Sequence, residues 1–283
     1  MGKSVLEYTS NYDIILGNCL DKLKEFDSLQ FQTCVTSPPY WGLRDYEMDG
    51  QIGAESNLND YIINMVEVFR EVKRVLKDDG TLWINIGDAY TSGGRTWRDK
   101  DKKNPARAMS YRPATPEGLK PKDLIGLPWR IAFALQADGW HLRSDIIWYK
   151  PNCQPESVKD RPTQAHEYIF LLSKEEKYYY DYEAIREKTN DGLSKRNKRD
   201  VWSVKTEPFK DAHFAVFPPS LITPCILAGS KIDSWILDPF LGSGTVGEVS
   251  LKLNRKFVGF ELNPEYIEIA KRRVQMPALL PFG

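Results

Sequence analysis

From residue 235 to residue 274 the sequence alternates strand, glycine turn, helix, strand and helix, and that alternation leaves few folds open. Trp235–Asp238 and Lys256–Glu261 have the short β-rich composition of buried strands, and 245–253 and 263–274 carry helical apolar spacing. Strands joined through helices return parallel, because a right-handed crossover packs the helix back onto the sheet. The N-terminal half repeats the pattern. Tyr12–Leu16 and 32–37 read as strands. Leu58, Tyr61, Ile62, Met65, Phe69, Val72 and Leu76 recur at helical spacing, with Asn57 or Asn59 as cap and Asp79-Gly80 as stop. Residues 81–87 then form a strand beneath that helix. Further on, 123–138 reads as helix, 140–149 as strand, 218–228 as helix, and 166–172 with 178–182 as a hairpin turning at Lys174–Lys177. The expectation is one α/β domain over 1–283: a doubly wound, mostly parallel sheet with helices on both faces. With 283 residues, 41% of them hydrophobic, the chain has enough apolar surface for that core.

Charge and cysteine usage narrow the chemistry. Lys+Arg and Asp+Glu are both 39, so a uniformly basic coat is excluded and any basic surface is local. Residues 92–122 hold four prolines, no apolar period, and nine basic against three acidic residues. A second stretch, 186–199, has six basic and two acidic residues. No run of about 18 apolar residues is present, so no membrane-spanning helix is expected. The first residues lack the apolar core of a secretory signal, and Leu6 breaks the myristoylation pattern. Cys19, Cys34, Cys153 and Cys225 are scattered, with no CxxC, and His141, His166 and His213 are unrelated in position. The reading is a cytoplasmic, reducing setting with no disulfide frame and no metal site.

The turn after Asp238 reads Pro-Phe-Leu-Gly-Ser-Gly-Thr. Gly242 and Gly244 let the backbone approach a ligand where a side chain would clash. The turn opens a helix whose free N–H groups favour a carboxylate or phosphate. Glu261 ends the next strand, 17 residues after Gly244, where an acidic group can take both hydroxyls of a ribose. The turn is neither GxGxxG nor a P-loop, so a nucleoside cofactor is favoured over a nucleoside triphosphate.

The other chemical signal is Val35-Thr36-Ser37-Pro38-Pro39-Tyr40, directly after a β run. Two consecutive prolines stiffen the loop. A backbone carbonyl there can accept one proton of an exocyclic amino group, Ser37 can accept the other, and Tyr40 can stack on a flat ring. Trp41 could stack as well, but a core position suits it better.

Ser37-Pro38-Pro39-Tyr40, with Asp238 to Gly244 far downstream, resembles the S-adenosylmethionine-dependent DNA amino-methyltransferases. The permuted order, catalytic loop first and cofactor turn last, resembles their beta subgroup. The likeness runs over nearly the whole chain. Gly17-Asn18-Cys19-Leu20 is similar to the family's adenine-contacting segment, although Asn18 stands where Asp is frequent. Phe217-Pro218-Pro219-Ser220-Leu221 is similar to the segment before the cofactor strand, and Arg161-Pro162 with His166-Glu167 to the substrate-side hairpin. The resemblance implies a Rossmann-like, seven-stranded-type methyltransferase sheet with a reversed hairpin at one edge, which 166–182 would supply. It implies S-adenosyl-L-methionine held by Asn18, Cys19, Ser220, Leu221, Asp238, Phe240, Gly242, Ser243, Gly244, Thr245, Glu261 and Asn263. Ser37, Pro38, Pro39 and Tyr40 are the implied catalytic group, and no metal is implied.

The implied reaction is direct in-line transfer of a methyl to an exocyclic amine of a base flipped out of double-stranded DNA. Ser37 favours cytosine N4, with adenine N6 as the alternative. A catalytically inactive DNA-binding module is a further alternative, and protein glutamine methylation fits less well because that family places the cofactor turn first. Cys225 follows Pro224, as the nucleophile of C5-cytosine enzymes does, but an apolar helical run around it fits an inert thiol. Asp88 and Asp145 are expected as capping or surface residues. Phosphate contacts are expected from Arg95, Arg98, Lys102, Lys103 and Arg107 in the loop 91–122. Lys195, Arg196, Lys198 and Arg199 are the counterparts in 183–212, the candidate target-recognition segment. A cognate restriction endonuclease is a possible partner. All of this requires the loop at 37–40 and the turn at 238–245 to share one crevice.

Overall fold

The computed structural model describes residues 2–45, 48–91, 113–207 and 217–275. The strands among them are β1 (Tyr12–Leu16), β2 (Phe31–Thr36), β3 (Leu76–Ile86), β4 (His141–Tyr149), β5 (His166–Ser173), β6 (Glu187–Lys188), β7 (Lys195–Arg196), β8 (Val201–Ser203), β9 (Trp235–Asp238) and β10 (Lys256–Glu261). The helices are α1 (Cys19–Lys24), α2 (Leu58–Val75), α3 (Leu127–Ala137), α4 (Pro219–Gly229), α5 (Thr245–Lys252) and α6 (Pro264–Gln275). An eight-stranded sheet has the order β1-β10-β9-β2-β3-β5-β4-β8. Within it only β5 runs against its neighbours, pairing antiparallel with both β3 and β4. The Rossmann-like α/β fold read from the sequence is the fold observed.

Side-chain alternation divides the core in two. Cys34, Leu82 and Ile84 point to the face covered by α1, α2 and α3. Val35 and Trp83, one residue out of phase, point to the face covered by α4, α5 and α6. This period of two is what a sheet buried on both faces requires. Helix α2 shows the matching logic. Asn57 caps it by accepting from the Asp60 N–H at 2.9 Å, and Tyr61, Met65, Val68, Phe69, Val72 and Val75 are fully buried along one face. Burying side chains of this size contributes roughly 1.5–3 kcal/mol each.

Three expectations are corrected. Asp79-Gly80 does not stop α2. The helix ends at Val75, and Leu76 already pairs with Phe31, so the two residues lie inside β3 beside a register shift. The helix expected from 123 starts at Leu127, because Gly126 takes a left-handed φ of 71° and Pro128 fits only in the first turn. The expected edge hairpin does not form. Both edges of β5 are taken by β3 and β4, which leaves no place for a strand at 178–182. That segment instead covers the sheet: Tyr180 stacks on Trp83, and the Asp181 N–H donates to the Ala228 carbonyl. The outermost strand is β8, parallel to β4. Within the 183–212 segment, β6 and β7 form a separate two-stranded hairpin.

The sheet has a switch point. From β9 the chain crosses through α5 to β10 on one side, and from β2 it crosses through α2 to β3 on the other. Ligand crevices in open α/β sheets form at the carboxyl ends of strands flanking such a point.

Candidate active site

A crevice of about 340 Å³ opens at that switch point. Its walls combine Ser37, Pro38, Pro39 and Tyr40 with Pro239, Phe240, Leu241, Gly242, Ser243, Thr245, Glu261 and Asn263. The two segments, some two hundred positions apart, therefore face one cavity. A buried hydrogen bond joins their strands: Thr36 Oγ1 donates to Asp238 Oδ1 at 2.6 Å. The same oxygen accepts from the Phe240 N–H at 3.1 Å. Asp238 is itself 1% exposed and does not line the crevice; burial pushes its carboxyl up to about 7.

The glycine turn is shaped from within. Gly244 holds φ 84° at the start of α5, and a Cβ there would stand 3.0 Å from Ala270. Glu261 accepts from the Gly242 N–H at 2.8 Å and from the Asn263 N–H at 2.8 Å, and burial raises its pKa. Both bonds leave lone pairs free on a carboxylate at the crevice wall. Thr245 is 2% exposed, and its Oγ1 lacks a hydrogen-bond partner. A buried hydroxyl without a partner at the N-terminus of a helix, beside a cavity, fits a polar ligand group that completes it. The donor set suits an amino-acid–nucleoside cofactor: free N–H groups for a carboxylate, an acidic residue for ribose hydroxyls, and Phe240 and Leu262 as apolar wall.

Asn18 and Cys19 also line the crevice. Asn18 Oδ1 caps α1 by accepting from the Leu20 N–H at 2.9 Å, and Nδ2 donates to the Gly50 carbonyl at 3.1 Å. The Cys19 thiol is pushed up to about 12 by burial and stays protonated at neutral pH. Ser220 and Leu221 are not brought to the crevice: Ser220 is exposed and Leu221 faces the α4 core. Phe217, from the same segment, lines the crevice instead.

On the catalytic side, the Tyr61 hydroxyl from α2 donates to the Pro39 carbonyl at 2.8 Å and fastens the loop. Tyr40 donates to Glu167 Oε2 at 2.9 Å. Burial and the Glu167 charge raise the Tyr40 phenol well above its ordinary value, so it is un-ionised. Glu167 also accepts from Asn85 Nδ2 at 3.2 Å and pairs with Lys150, whose ammonium lies 4.2 Å from the Trp148 ring centre. Asn85, Trp148, Lys150 and Glu167 all line the crevice; the sequence put Glu167 on the substrate side through the His166-Glu167 resemblance but did not place the other three. Asn85 stands on β3, Trp148 on β4 with Lys150 directly after it, and Glu167 on β5. The only signal was the His166-Glu167 pair; nothing in the spacing shows that three strands converge.

The remaining residues take quieter places. Trp41 is 5% exposed, its Nε1 donating to the Glu55 carbonyl, as the core reading expects. Asp88 accepts from the Leu127 N–H at 3.0 Å and so caps α3. Cys225 is 1% exposed inside α4, and burial raises its thiol pKa. All four cysteines are free, and among the described residues no metal-ligating cluster and no helix able to cross a membrane is present. Arg95, Arg98, Lys102, Lys103 and Arg107 lie outside the described residues. Arg196 and Arg199 both pair with Glu187, Lys198 lies 5.0 Å from the Trp202 ring centre, and Lys195 is exposed on β7.

Known proteins agree with this geometry. The family model for DNA methylases of the N6/N4 type matches residues 31–272. The type II methyltransferase M.SmaI of Serratia marcescens is 64% identical over 262 residues, 92% of this chain and 90% of that protein. M.Cfr9I of Citrobacter freundii is 62% identical over 259 residues, 92% of this chain and 86% of that protein. Among solved structures, the PvuII DNA methyltransferase (cytosine-N4-specific) superposes with a TM-score of 0.72 at 22% identity, covering 96% of this chain and 89% of that one. A putative DNA modification methylase from Thermus thermophilus, complexed with S-adenosyl-L-methionine, gives a TM-score of 0.63 at 22% identity, with 93% of each chain covered. A switch-point crevice joining a Ser-Pro-Pro-Tyr loop to a glycine turn, in a chain matched by that family over most of its length, has one reading: this protein belongs to the N6/N4 DNA methylases and is an S-adenosylmethionine-dependent DNA methyltransferase with the beta-type motif order.

Proposed function

We propose that the protein methylates the exocyclic N4 amine of cytosine in double-stranded DNA. The observation that supports this reading is the shared crevice, which Ser37 and Pro38 line together with the residues of the glycine turn. The bound cofactor supplies an electrophilic methyl on a sulfonium centre. Gly242, Ser243, Thr245, Glu261 and Asn263 would hold and orient it, and Phe240 would pack on it. An exocyclic amine is a poor nucleophile because its lone pair is delocalised into the ring. Ser37 and the Pro38 carbonyl accept its two protons, draw the nitrogen toward tetrahedral geometry and free the lone pair. The methyl would pass directly and in line to that nitrogen, whose excess proton is then lost to solvent. No thiolate takes part, since Cys19 is protonated and Cys225 is buried within α4. Positioning and electrostatics supply the rate.

A paired base cannot reach the crevice floor, so it flips out at a cost of roughly a few kcal/mol, partly offset by stacking on Tyr40. Phosphate contacts come from the basic loop at 91–122 and from Lys195, Lys198 and their neighbours. Residues 183–212 contribute to target recognition. The neutral Ser37 acceptor and the cytosine-N4-specific name of the PvuII structure both support cytosine. Adenine N6 is the second reading, since the family model spans both chemistries. The type II naming of the relatives supports a cognate restriction endonuclease as partner, and the free cysteines suit the reducing cytoplasm.

Sequencing with modification detection, on DNA from cells expressing the chain, tests the proposal and yields the target site. Hydrolysis of that DNA to nucleosides should give N4-methylcytosine. N6-methyladenine would replace the first reading by the second, and no modified base with an intact cofactor site would favour an inactive binding module.

A further inference from the structure

Asn18 lines the crevice at the start of α1, and its amide joins two backbones. Oδ1 accepts from the Leu20 N–H at 2.9 Å, while Nδ2 donates to the Gly50 carbonyl at 3.1 Å. The amide can face only one way, because an N–H must meet its oxygen and a carbonyl must meet its NH₂. Aspartate at this position would cap α1 equally well but has no proton for Gly50. The departure from Asp to Asn at residue 18 therefore adds the one kind of atom that the Gly50 carbonyl needs.

Gly50 belongs to a strap, residues 48–53, of which Met48, Gly50, Gln51 and Ile52 line the crevice. Met48 to Gln51 form a tight turn: the Gln51 N–H donates to the Met48 carbonyl at 3.3 Å, and Gly50 supplies the positive φ, 78°, that its third position requires. The other end of the strap is fastened to the catalytic side. The Gly42 N–H donates to the Gly53 carbonyl at 2.8 Å, and the Gly53 N–H donates to Glu55 Oε2 at 2.8 Å. Glu55 Oε1 in turn accepts from Asn64 of α2 at 2.8 Å. The fit is close, since a Cβ on Gly53 would stand 3.2 Å from the Tyr40 carbonyl oxygen and 3.3 Å from Pro39 Cβ. The strap thus runs from the catalytic loop to the start of α1, and Asn18 ties it there.

We infer that Asn18 is a positioning residue, a clasp that holds the 48–53 strap against α1 and keeps that wall of the crevice closed around the bound cofactor, so that its effect on cofactor binding runs through Gly50 and not through contact with the adenine ring. The inference rests on the reading of the crevice as the S-adenosylmethionine site. A wall segment tied at both ends cannot swing aside; untied at Gly50, it opens a way out, and cofactor release quickens.

Asn18→Asp and the neutral Asn18→Ser test the clasp. Both keep a cap for α1; the first loses the donor, and the second is too short to span both backbones. Each should speed S-adenosylmethionine release, measured by stopped-flow chase, about three- to tenfold, the scale of one net hydrogen bond. Gly50→Ala, which opposes φ 78° and leaves Asn18 intact, should speed release similarly. Asn18→Asp combined with Gly50→Ala should stay within about twofold of the faster single variant, because both act on one contact, whereas separate contributions multiply. Amide exchange in the cofactor-free protein gives a second readout: Asn18→Asp should exchange the Gln51 N–H at least about threefold faster and leave the Gly53 N–H within about twofold. Release that is unchanged or slower in Asn18→Asp, as a carboxylate accepting from the adenine amine would give, overturns the inference. So do multiplying effects in the double variant, or unchanged Gln51 exchange. A wild type that binds no S-adenosylmethionine would defeat the cofactor reading separately, and the exchange experiment would still decide the clasp.

Discussion

The bond between Thr36 and Asp238 holds the two halves of the site together, and its acidity makes a measurable prediction. Asp238 is 1% exposed, and its carboxyl is pushed up from 3.8 to about 7, chiefly by burial, with the Glu261 charge adding to it. In the unfolded chain the group ionises near its ordinary value. Between the two pKa values the folded state binds the extra proton, so stability is fully present below the unfolded pKa and is lost as pH rises through the folded one. A shift of roughly three units corresponds to a loss of ~4 kcal/mol over the whole window, of which ~2 kcal/mol falls between pH 5 and pH 7 and nearer ~3 kcal/mol between pH 5 and pH 8. Asp238→Asn keeps an oxygen for Thr36 Oγ1 and the Phe240 N–H but cannot ionise. Urea unfolding of both proteins at pH 5 and pH 8, extrapolated to water, reads the difference. The wild type should lose ~3 kcal/mol more than the variant across that interval. Glu261, whose pKa is also raised, remains in both proteins and cancels to first order. Slopes that coincide within about 0.5 kcal/mol would refute the argument that a buried carboxyl ties β2 to β9.

Further outcomes follow from the same structure. Thr245→Val should leave the stability of the cofactor-free protein within ~0.5 kcal/mol, because the Thr245 hydroxyl has no partner to lose, yet weaken S-adenosylmethionine binding about tenfold by calorimetry. Gly244→Ala should destabilise the protein by ~1–3 kcal/mol in urea and abolish tight cofactor binding, since φ 84° and the 3.0 Å approach to Ala270 both oppose a Cβ. Cys225→Ser should retain methyl transfer, because the thiol sits in α4 with only the Leu221 carbonyl as partner; loss of turnover with folding intact would revive a nucleophile. Glu187→Gln should release Arg196 and Arg199, raise DNA affinity at low salt and steepen its salt dependence; unchanged binding would exclude the β6–β7 hairpin from the DNA contact.

Periodicity and turn chemistry carried most of the architecture. Tyr12–Leu16, Trp235–Asp238 and Lys256–Glu261 were legible to the residue, because a buried strand bounded by turn residues is a local signal. The glycine turn and the Pro-Pro loop were equally local: each needs particular backbone freedom or stiffness, and glycine and proline advertise it. Sequence erred where a residue's neighbours were not its chain neighbours. Residues 178–182 have strand composition, but the β5 edge they would have joined belongs to β4, and Tyr180 stacks on Trp83 instead. Asp79-Gly80 has the composition of a helix stop, yet pairing of Leu76 with Phe31 draws it into β3.

By itself, then, the sequence determined the α/β class, the glycine turn and the stiff Pro-Pro loop, since these follow from properties that residues carry within a few positions of one another. Tertiary structure alone decided that Asn85, Lys150 and Glu167 stand behind Tyr40, that Phe217 rather than Ser220 reaches the crevice, and that Thr36 meets Asp238. The physical reason is that each of these contacts crosses strands whose order in the sheet is set by burial on two faces, and no spacing along the chain records that order.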